Sequence, residues 1–151
     1  PLFTPADHQS TGPTVESINM GLLHSVACIL MFGAITGNDS VIKAYSGATD
    51  GTKTTALAFR YRLSGADHNA AGADQYGDLA AAVVAATGLV FADATNYSNR
   101  TIIIELDSDE MTAGEPWLTL EIDDGLASVL LAAGHAVGVP RYAANDVPTV
   151  I

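Results

Sequence analysis

The chain has 151 residues, which suits one domain with its own hydrophobic core, and its single cysteine excludes an intramolecular disulfide. Seventeen acidic residues against six basic ones give a net charge of −11, a field that repels phosphate backbones and argues against direct nucleic-acid binding. Charged residues make up only 15% of the chain, which favours either a surface partly covered by partners or an exterior rich in small neutral residues.

The N-terminal segment 1–14 contains three prolines and a glycine and has neither a period of 2 nor one of 3.6. We therefore predict an extended N-terminal arm outside the domain. The segment carries no charged-then-apolar leader, and the longest apolar runs of the chain are too short to span a membrane. We expect a protein that is produced in a cytoplasm.

Apolar runs bounded by Gly, Asp and Asn turns predict a series of antiparallel strands in the first half of the chain. These runs cover residues 15–20, 24–35, 41–47 and 55–63. The run 55–63, TALAFRYRL, is the clearest, because its apolar side chains alternate with Arg60 and Arg62 as in a half-buried strand.

The segment 78–88, DLAAAVVAATG, is predicted to be one short helix that Asp78 caps and Gly88 ends. Further strands are predicted after it, at 89–93, 100–107, 116–123 and 126–139. The fold class is therefore mainly β: an antiparallel β-sandwich or jelly-roll-like barrel with one short helix and extended terminal arms. In this division, residues 15–139 form the β-sandwich domain and residues 140–151 a C-terminal arm.

Residues suited to nucleophilic or metal chemistry are few and scattered. No G-x-S-x-G motif is present, and Cys28 lies within the apolar run VACILMF, where it acts as a small core hydrophobe. The histidines show no metal-ligand spacing; they are His8, His24, His68 and His135. We predict no catalytic residue, no cofactor and no metal site, and hence no enzyme.

Two acidic turns, 107–110 and 123–124, keep one alternative open. Their carboxylates are hard oxygen ligands that suit Ca²⁺, but the D-x-[DN]-x-[DN]-G pattern is absent. The other interpretation is that the carboxylates of these two turns are solvated and bind no metal.

Two further features suggest binding. Arg60 and Arg62 present guanidinium groups on one strand face, for acidic residues of a partner or for Glu105 and Glu121 of the same sheet. Trp117 and Tyr97 are the only plausible aromatic platforms for a sugar, which would suit a carbohydrate-binding module.

Several short motifs occur in a characteristic order: ATDGT at 48–52, DLAAA at 78–82, an R-T-I-I-I-E-L strand from Arg100, and a closing GVPRY at 138–142. In this order the chain resembles, over most of residues 15–142, the small structural proteins that many tailed bacteriophages encode close to their major capsid protein. Several of those proteins decorate or cement the capsid shell.

The resemblance implies a non-enzymatic virion structural protein at the capsid surface, with the major capsid protein as its partner. It would bind the outside of the capsid and cement neighbouring capsomers with its terminal arms, as a homo-oligomer with a trimer favoured. Proline cannot donate to a ladder, so Pro140 would end the last strand and begin an arm. The residues expected to bind partners are Leu2, Phe3, Arg60, Arg62, Pro140, Arg141 and Tyr142. A head–tail connector or tail component is the alternative within the virion.

Overall fold

The strands of the computed structural model form two antiparallel sheets that pack as a sandwich, which confirms the mainly β prediction. The structure describes residues 1–8, 12–13, 15–36, 40–66, 71–72, 74–80, 82–91, 97–124 and 130–141. The strands are β1 (Phe3–Asp7), β2 (Ile18–Asn19), β3 (Leu23–Ile35), β4 (Ser40–Gly47), β5 (Thr55–Leu57), β6 (Arg60–Leu63), β7 (Leu89–Phe91), β8 (Thr101–Asp107), β9 (Trp117–Asp124) and β10 (Leu130–Pro140).

The first sheet has the order β1-β10-β3-β8-β6, and the second has the order β2-β9-β4-β5 with β7 also paired to β4. One side of each sheet faces the other sheet and supplies the hydrophobic core. Its largest fully buried side chains include Phe32, Phe59, Leu30, Ile42, Ile102, Ile104 and Leu118. The long apolar runs of the sequence are therefore strands, and β3, β4, β8 and β9 lie within one residue of their predicted bounds at each end.

The predicted N-terminal arm is wrong for residues 1–8, because Phe3–Asp7 is an edge strand of the first sheet. Phe3 pairs with Gly134, and the Leu2 amide donates to the Gly134 carbonyl over 2.7 Å. Leu2 and Phe3 are both buried. A Cβ on Gly134 would overlap the Phe3 ring, so the glycine provides the space that the ring fills. Pro5 is tolerated because β1 is an edge strand.

The run 55–63 is not one strand, as predicted, but two strands in different sheets. β5 pairs with β4 in the second sheet, whereas β6 pairs with β8 in the first. The chain crosses between the sheets at residues 58–59, and Phe59 remains buried in the core during the crossing. The predicted alternation of side chains is preserved, although the strand is interrupted.

The predicted helix at 78–88 is also wrong, since none of the described residues 78–80 and 82–88 is helical. The segment runs beside β6: the Ala80 amide donates to the Tyr61 carbonyl over 2.9 Å and the Val83 amide to the Phe59 carbonyl over 2.7 Å. These bonds satisfy carbonyl groups of an edge strand that would otherwise lack partners, and they outweigh the helix propensity of alanine. Gly88 does adopt the predicted left-handed conformation, with φ of 70°, after a single turn.

At the C-terminal end, Pro140 is the last residue of β10, where the sequence predicts that the ladder ends. Arg141 is attached to the domain, because its amide donates to the Leu22 carbonyl over 3.0 Å. The rest of the predicted arm, 142–151, lies outside the described residues, as do 126–129 of the predicted last strand.

Truncating Phe3 should test whether β1 belongs to the domain. Because the ring fills the space above Gly134 and is buried, Phe3→Ala should lower the free energy of unfolding by about 3–5 kcal/mol, measured by urea denaturation. The neighbouring exposed Thr4 is the control, and Thr4→Ala should stay within about 0.5 kcal/mol. Equal stability of the two variants would show that β1 is not part of the core.

Alanine substitutions at three glycines with positive φ should distinguish the cost of backbone strain from the cost of a steric clash. A Cβ on Gly88 would lie 2.5 Å from the Ile42 carbonyl oxygen, whereas a Cβ on Gly51 or Gly114 would meet no atom within 4 Å. Alanine at Gly51 or Gly114 should therefore cost about 1–2 kcal/mol, the strain of the left-handed conformation alone. Gly88→Ala should cost at least about 1 kcal/mol more by thermal or urea unfolding. Equal losses at all three positions would contradict the close approach of the turn to β4.

Candidate functional site

The outer face of the second sheet is mostly polar and carries paired charges, although Val41 and Val90 lie side by side near one end of it. Lys43 lies opposite Glu121 in the ladder between β4 and β9, and Tyr45 lies opposite Thr119. Lys53 adds an ion pair, with 2.6 Å between its Nζ and the Glu121 Oε1. This face is suited to contact with water.

The ionisation of this face centres on Glu121. Its partial burial favours the neutral form, but hydrogen bonds from Lys53 and Tyr45 and the charges of Lys53 and Lys43 outweigh it, so that its pKa is lowered. The pKa of Tyr45 is raised, first by burial and then by its hydrogen bond with Glu121 and the charges of Glu121 and Asp123. Glu121 is therefore a structural anion with partners in its own sheet.

The outer face of the first sheet is different, because most of its side chains are aliphatic. We call its exposed and half-buried apolar residues the apolar face: Ala27, Ile29, Met31, Ile103, Leu131, Val137 and Val139. Register places them together, since Val137 pairs with Ala27 and Ile103 pairs with Ile29. Val137 is 59% exposed and Val139 53% exposed, at the end of β10 that extends beyond its pairing with β1.

One end of the apolar face deepens into a groove of about 520 Å³, which we call the acidic groove. Its apolar lining includes Ala27, Leu79, Val137 and Val139. Its charged lining consists of Glu105, Asp107, Asp109, Glu110 and Arg60. The groove therefore joins an aliphatic floor to an acidic rim.

The acidic rim is held by a short 3₁₀ helix, Ser108–Glu110, that follows β8. The Glu110 Oε2 accepts a hydrogen bond from the Asp107 amide over 2.8 Å and so caps the turn. An Nη2 of Arg141 donates to the Ser108 Oγ over 2.7 Å, which ties the end of β10 to the same turn. Asp109 is exposed beside these contacts.

The two predicted arginines have different environments. The Arg62 Nε lies 3.3 Å from the Glu105 Oε1, and its Nη1 donates to the Gly77 carbonyl, so the internal pairing with Glu105 is confirmed. The pairing with Glu121 is wrong, because that residue lies in the other sheet. Arg60 is exposed at the acidic groove, and no carboxylate of the described chain lies within ion-pair distance of it.

The other residues expected to bind partners are placed differently from the prediction. Leu2 and Phe3 are buried in the chain's own core, so they are not available to another molecule. Arg141 is exposed, but its guanidinium is bonded within the domain, with its Nε 2.8 Å from the Leu23 carbonyl oxygen. Pro140 pairs with Leu23, and Tyr142 lies outside the described residues.

The two acidic turns do not come together around a cation. β9 begins at Trp117, near the end of β8, and runs away from it to Asp124, so turns 107–110 and 123–124 are separated by the length of a strand, about 20 Å. Among the residues that the structure describes, no three His, Cys, Asp or Glu side chains are grouped as metal ligands.

The remaining candidates for chemistry are largely enclosed. Cys28 is fully buried, and burial raises the pKa of its thiol to about 12, so the reactive thiolate is scarce at neutral pH. Tyr97 packs against the core and its pKa is raised by burial, then by the neighbouring Tyr61. Trp117 lies on β9 in the second sheet opposite Gly47, so the two aromatic residues do not form a shared sugar platform.

The sequence analysis did not predict the apolar face, although one feature of the sequence indicates it. The runs ACILMF and TIII do not alternate between apolar and polar residues, which is typical of strands covered on both faces. Within the described part of the chain, the inner faces of these strands are covered, whereas their outer faces are exposed or half-buried.

No helix in the described segments is long and apolar enough to cross a membrane. A comparison of the chain with protein-family models, curated proteins and solved structures finds no match.

The lowered pKa of Glu121 predicts how stability depends on pH. A carboxyl whose folded pKa lies below its ordinary 4.5 contributes stability above that value and loses the contribution as the pH falls through the lowered pKa. Glu121→Gln should therefore cost up to about 1 kcal/mol near neutral pH, since the pair is partly exposed, and almost nothing near about pH 3.

Urea denaturation at both pH values measures this difference, and the Lys53→Met background is the control. Removing the cation should abolish most of the pH dependence, because Lys53 supplies the hydrogen bond and the nearest positive charge. A cost of Glu121→Gln that grows in acid would contradict the assignment.

Proposed function

We propose that this protein is a non-enzymatic structural protein of a tailed-phage virion, which binds the outside of the capsid through its apolar face and cements neighbouring capsomers. One observation carries the proposal: the outer face of one sheet is aliphatic, whereas the outer face of the other is charged and internally paired. A sandwich that only needed to be soluble would cover both outer faces with polar side chains.

The energetic argument rests on the exposure of this face. Met31, Leu131, Val137 and Val139 are between 39% and 59% exposed and lie on two adjacent strands. Ile29 connects the two pairs along β3, and the exposed His135 lies opposite Ile29 on β10. Contiguous exposed apolar surface is uncommon on monomers and marks interaction sites. Covering it with a partner would remove apolar surface from water, worth about 25 cal/mol for each Å².

The turn motifs that carry the phage resemblance have structural roles that fit this proposal. In ATDGT, Gly51 adopts a φ of 75° and Thr52 packs so closely on Gly47 that a Cβ there would overlap it. In GVPRY, Pro140 ends β10 beside the acidic groove and Arg141 fastens that end. Both motifs thus shape the sandwich, and the second one adjoins the proposed binding face.

The cementing mechanism follows from symmetry and not from an N-terminal arm. With residues 1–8 inside the sheet, the apolar face replaces the N-terminal arm as the proposed source of contacts. In a symmetric oligomer, for which a trimer remains our proposal, each weak contact is repeated and the combined binding is much stronger. The proposed location is the capsid surface, with the major capsid protein as partner.

A head–tail connector or tail component is the second candidate, because such a protein would use the same apolar face. The two are distinguished by copy number, since a capsid-wide protein follows the symmetry of the shell. No contact among the described residues favours the sugar-binding module.

Quantitative mass spectrometry of gradient-purified particles, counting this chain against the major capsid protein, tests the proposal. A ratio between about one-third and one is expected for a protein that occupies the whole capsid lattice. A ratio of a few hundredths would replace cementing by a neck or tail role, and absence from the particles would reject the virion role altogether.

A further inference from the structure

The acidic groove differs from the rest of the apolar face in its charge. Four carboxylates line it against one guanidinium, that of Arg60. Of these carboxylates, Glu105 is partly neutralised by Arg62, and Glu110 accepts the Asp107 amide. The net field at this end of the face is therefore negative, next to a floor of exposed valines.

We propose that the acidic groove binds an extended segment of the partner protein that carries lysine or arginine at one end and aliphatic residues along the rest. The inference rests on the proposed function, since it names the chemistry that the partner presents to the apolar face. Three features of the structure define this occupant: the order of side chains across the sheet, the charge of the rim and the length of the face.

Across the sheet, the side chains change from apolar to charged within two strand spacings. One row runs from Val137 on β10 through Ala27 on β3 to Glu105 on β8, and a second runs from Val139 through Ser25 to Asp107. Neighbouring strands lie about 4.8 Å apart, so each valine is about 10 Å from the carboxylate of its row. A lysine or arginine side chain spans this distance, with its aliphatic stem over the valines and its charge at the rim.

The rim favours a basic partner over a second copy of this chain. The chain carries a net charge of −11, so a second copy placed on the groove would add negative charge to a negative rim. Two of its six basic residues, Lys53 and Arg62, are already in ion pairs. A basic segment of a partner would instead form ion pairs with the carboxylates of Asp107 and Asp109.

The length of the face favours an extended segment over a small molecule. Beyond the acidic groove, the apolar face leads to a second depression of about 500 Å³, lined by Met31, Leu131 and Pro5 among other apolar residues. Leu131 and Val139 are eight positions apart on the same strand, which corresponds to about 27 Å. This is the length of about eight residues of extended chain.

A synthetic peptide provides the test in the full chain. It carries lysines in its first three positions followed by alternating valine and threonine, and its comparison peptide has glutamate in place of lysine. In an NMR titration of the ¹⁵N-labelled protein, the lysine peptide should shift the amides of Val137, Val139 and Asp109. The glutamate peptide should bind at least about tenfold more weakly.

Two substitutions with matched controls examine the charge and the aliphatic floor separately. Asp109→Asn and Val137→Thr should each weaken the lysine peptide by about threefold or more. Asp50→Asn, in an exposed turn, and Val90→Thr, on the second sheet, should leave it unchanged. Thermal unfolding of all four variants checks that each one is folded.

The same variants, co-sedimented with particles that lack the protein, separate the two proposals. Weaker particle binding by Val137→Thr but not by Val90→Thr would support the apolar face as the docking surface. If the lysine peptide shifts no amide of the groove, or the glutamate peptide binds equally well, the basic occupant is rejected even when that particle result holds. If Val137→Thr binds particles as well as the unsubstituted protein, the docking surface of the proposed function is rejected.

Discussion

The ladder between β3 and β10 is the constraint on which the rest of the molecule depends. It runs from the pair Leu130 and Ile35 to the pair Pro140 and Leu23, and it joins segments about a hundred residues apart in the chain. β1 is added to one side of it and β8 to the other, so every strand of the first sheet is positioned by this pairing directly or through one neighbour. Pairing these strands closes a large loop, which costs conformational entropy. The burial of apolar side chains beneath the ladder offsets this cost, and Leu30 and Phe32 are fully buried there.

Elements that leave their own pattern in the sequence could be predicted, and elements whose conformation is decided by a contact with a distant residue could not. β8 and β9 have their own length, period and turn residues, so their bounds follow from the residues alone. β1 depends on Gly134, more than a hundred residues away, whose missing side chain makes room for Phe3. The segment 78–88 has alanines that favour a helix in isolation, but the open edge of β6 provides partners for its amides. In both cases a tertiary contact outweighed a local preference.

In the candidate site, too, some features could be predicted from the sequence and others could not. The aliphatic character of β3 and β8 is visible as unbroken apolar runs, and these runs indicate strands with two covered faces. The charge at one end of the face is not visible, because it results from register. Only the pairing of Val139 with Ser25, and of Ser25 with Asp107, places an exposed valine in the same row as a carboxylate. The arginines of β6 were recognised as a pair, but the fold separates their roles, one bonded to Glu105 and the other left at the groove.

The net charge and the apolar face are best understood together. An exposed aliphatic sheet face would favour association of identical copies, because burying it removes apolar surface from water without any requirement for specificity. The net charge of −11 opposes association of identical copies through this face at long range, and the carboxylates at the groove oppose it at contact. A partner with basic residues meets the opposite situation, since the same field attracts it and the same apolar surface is then buried. On this proposal, charge would select the partner and the aliphatic face would supply the binding energy.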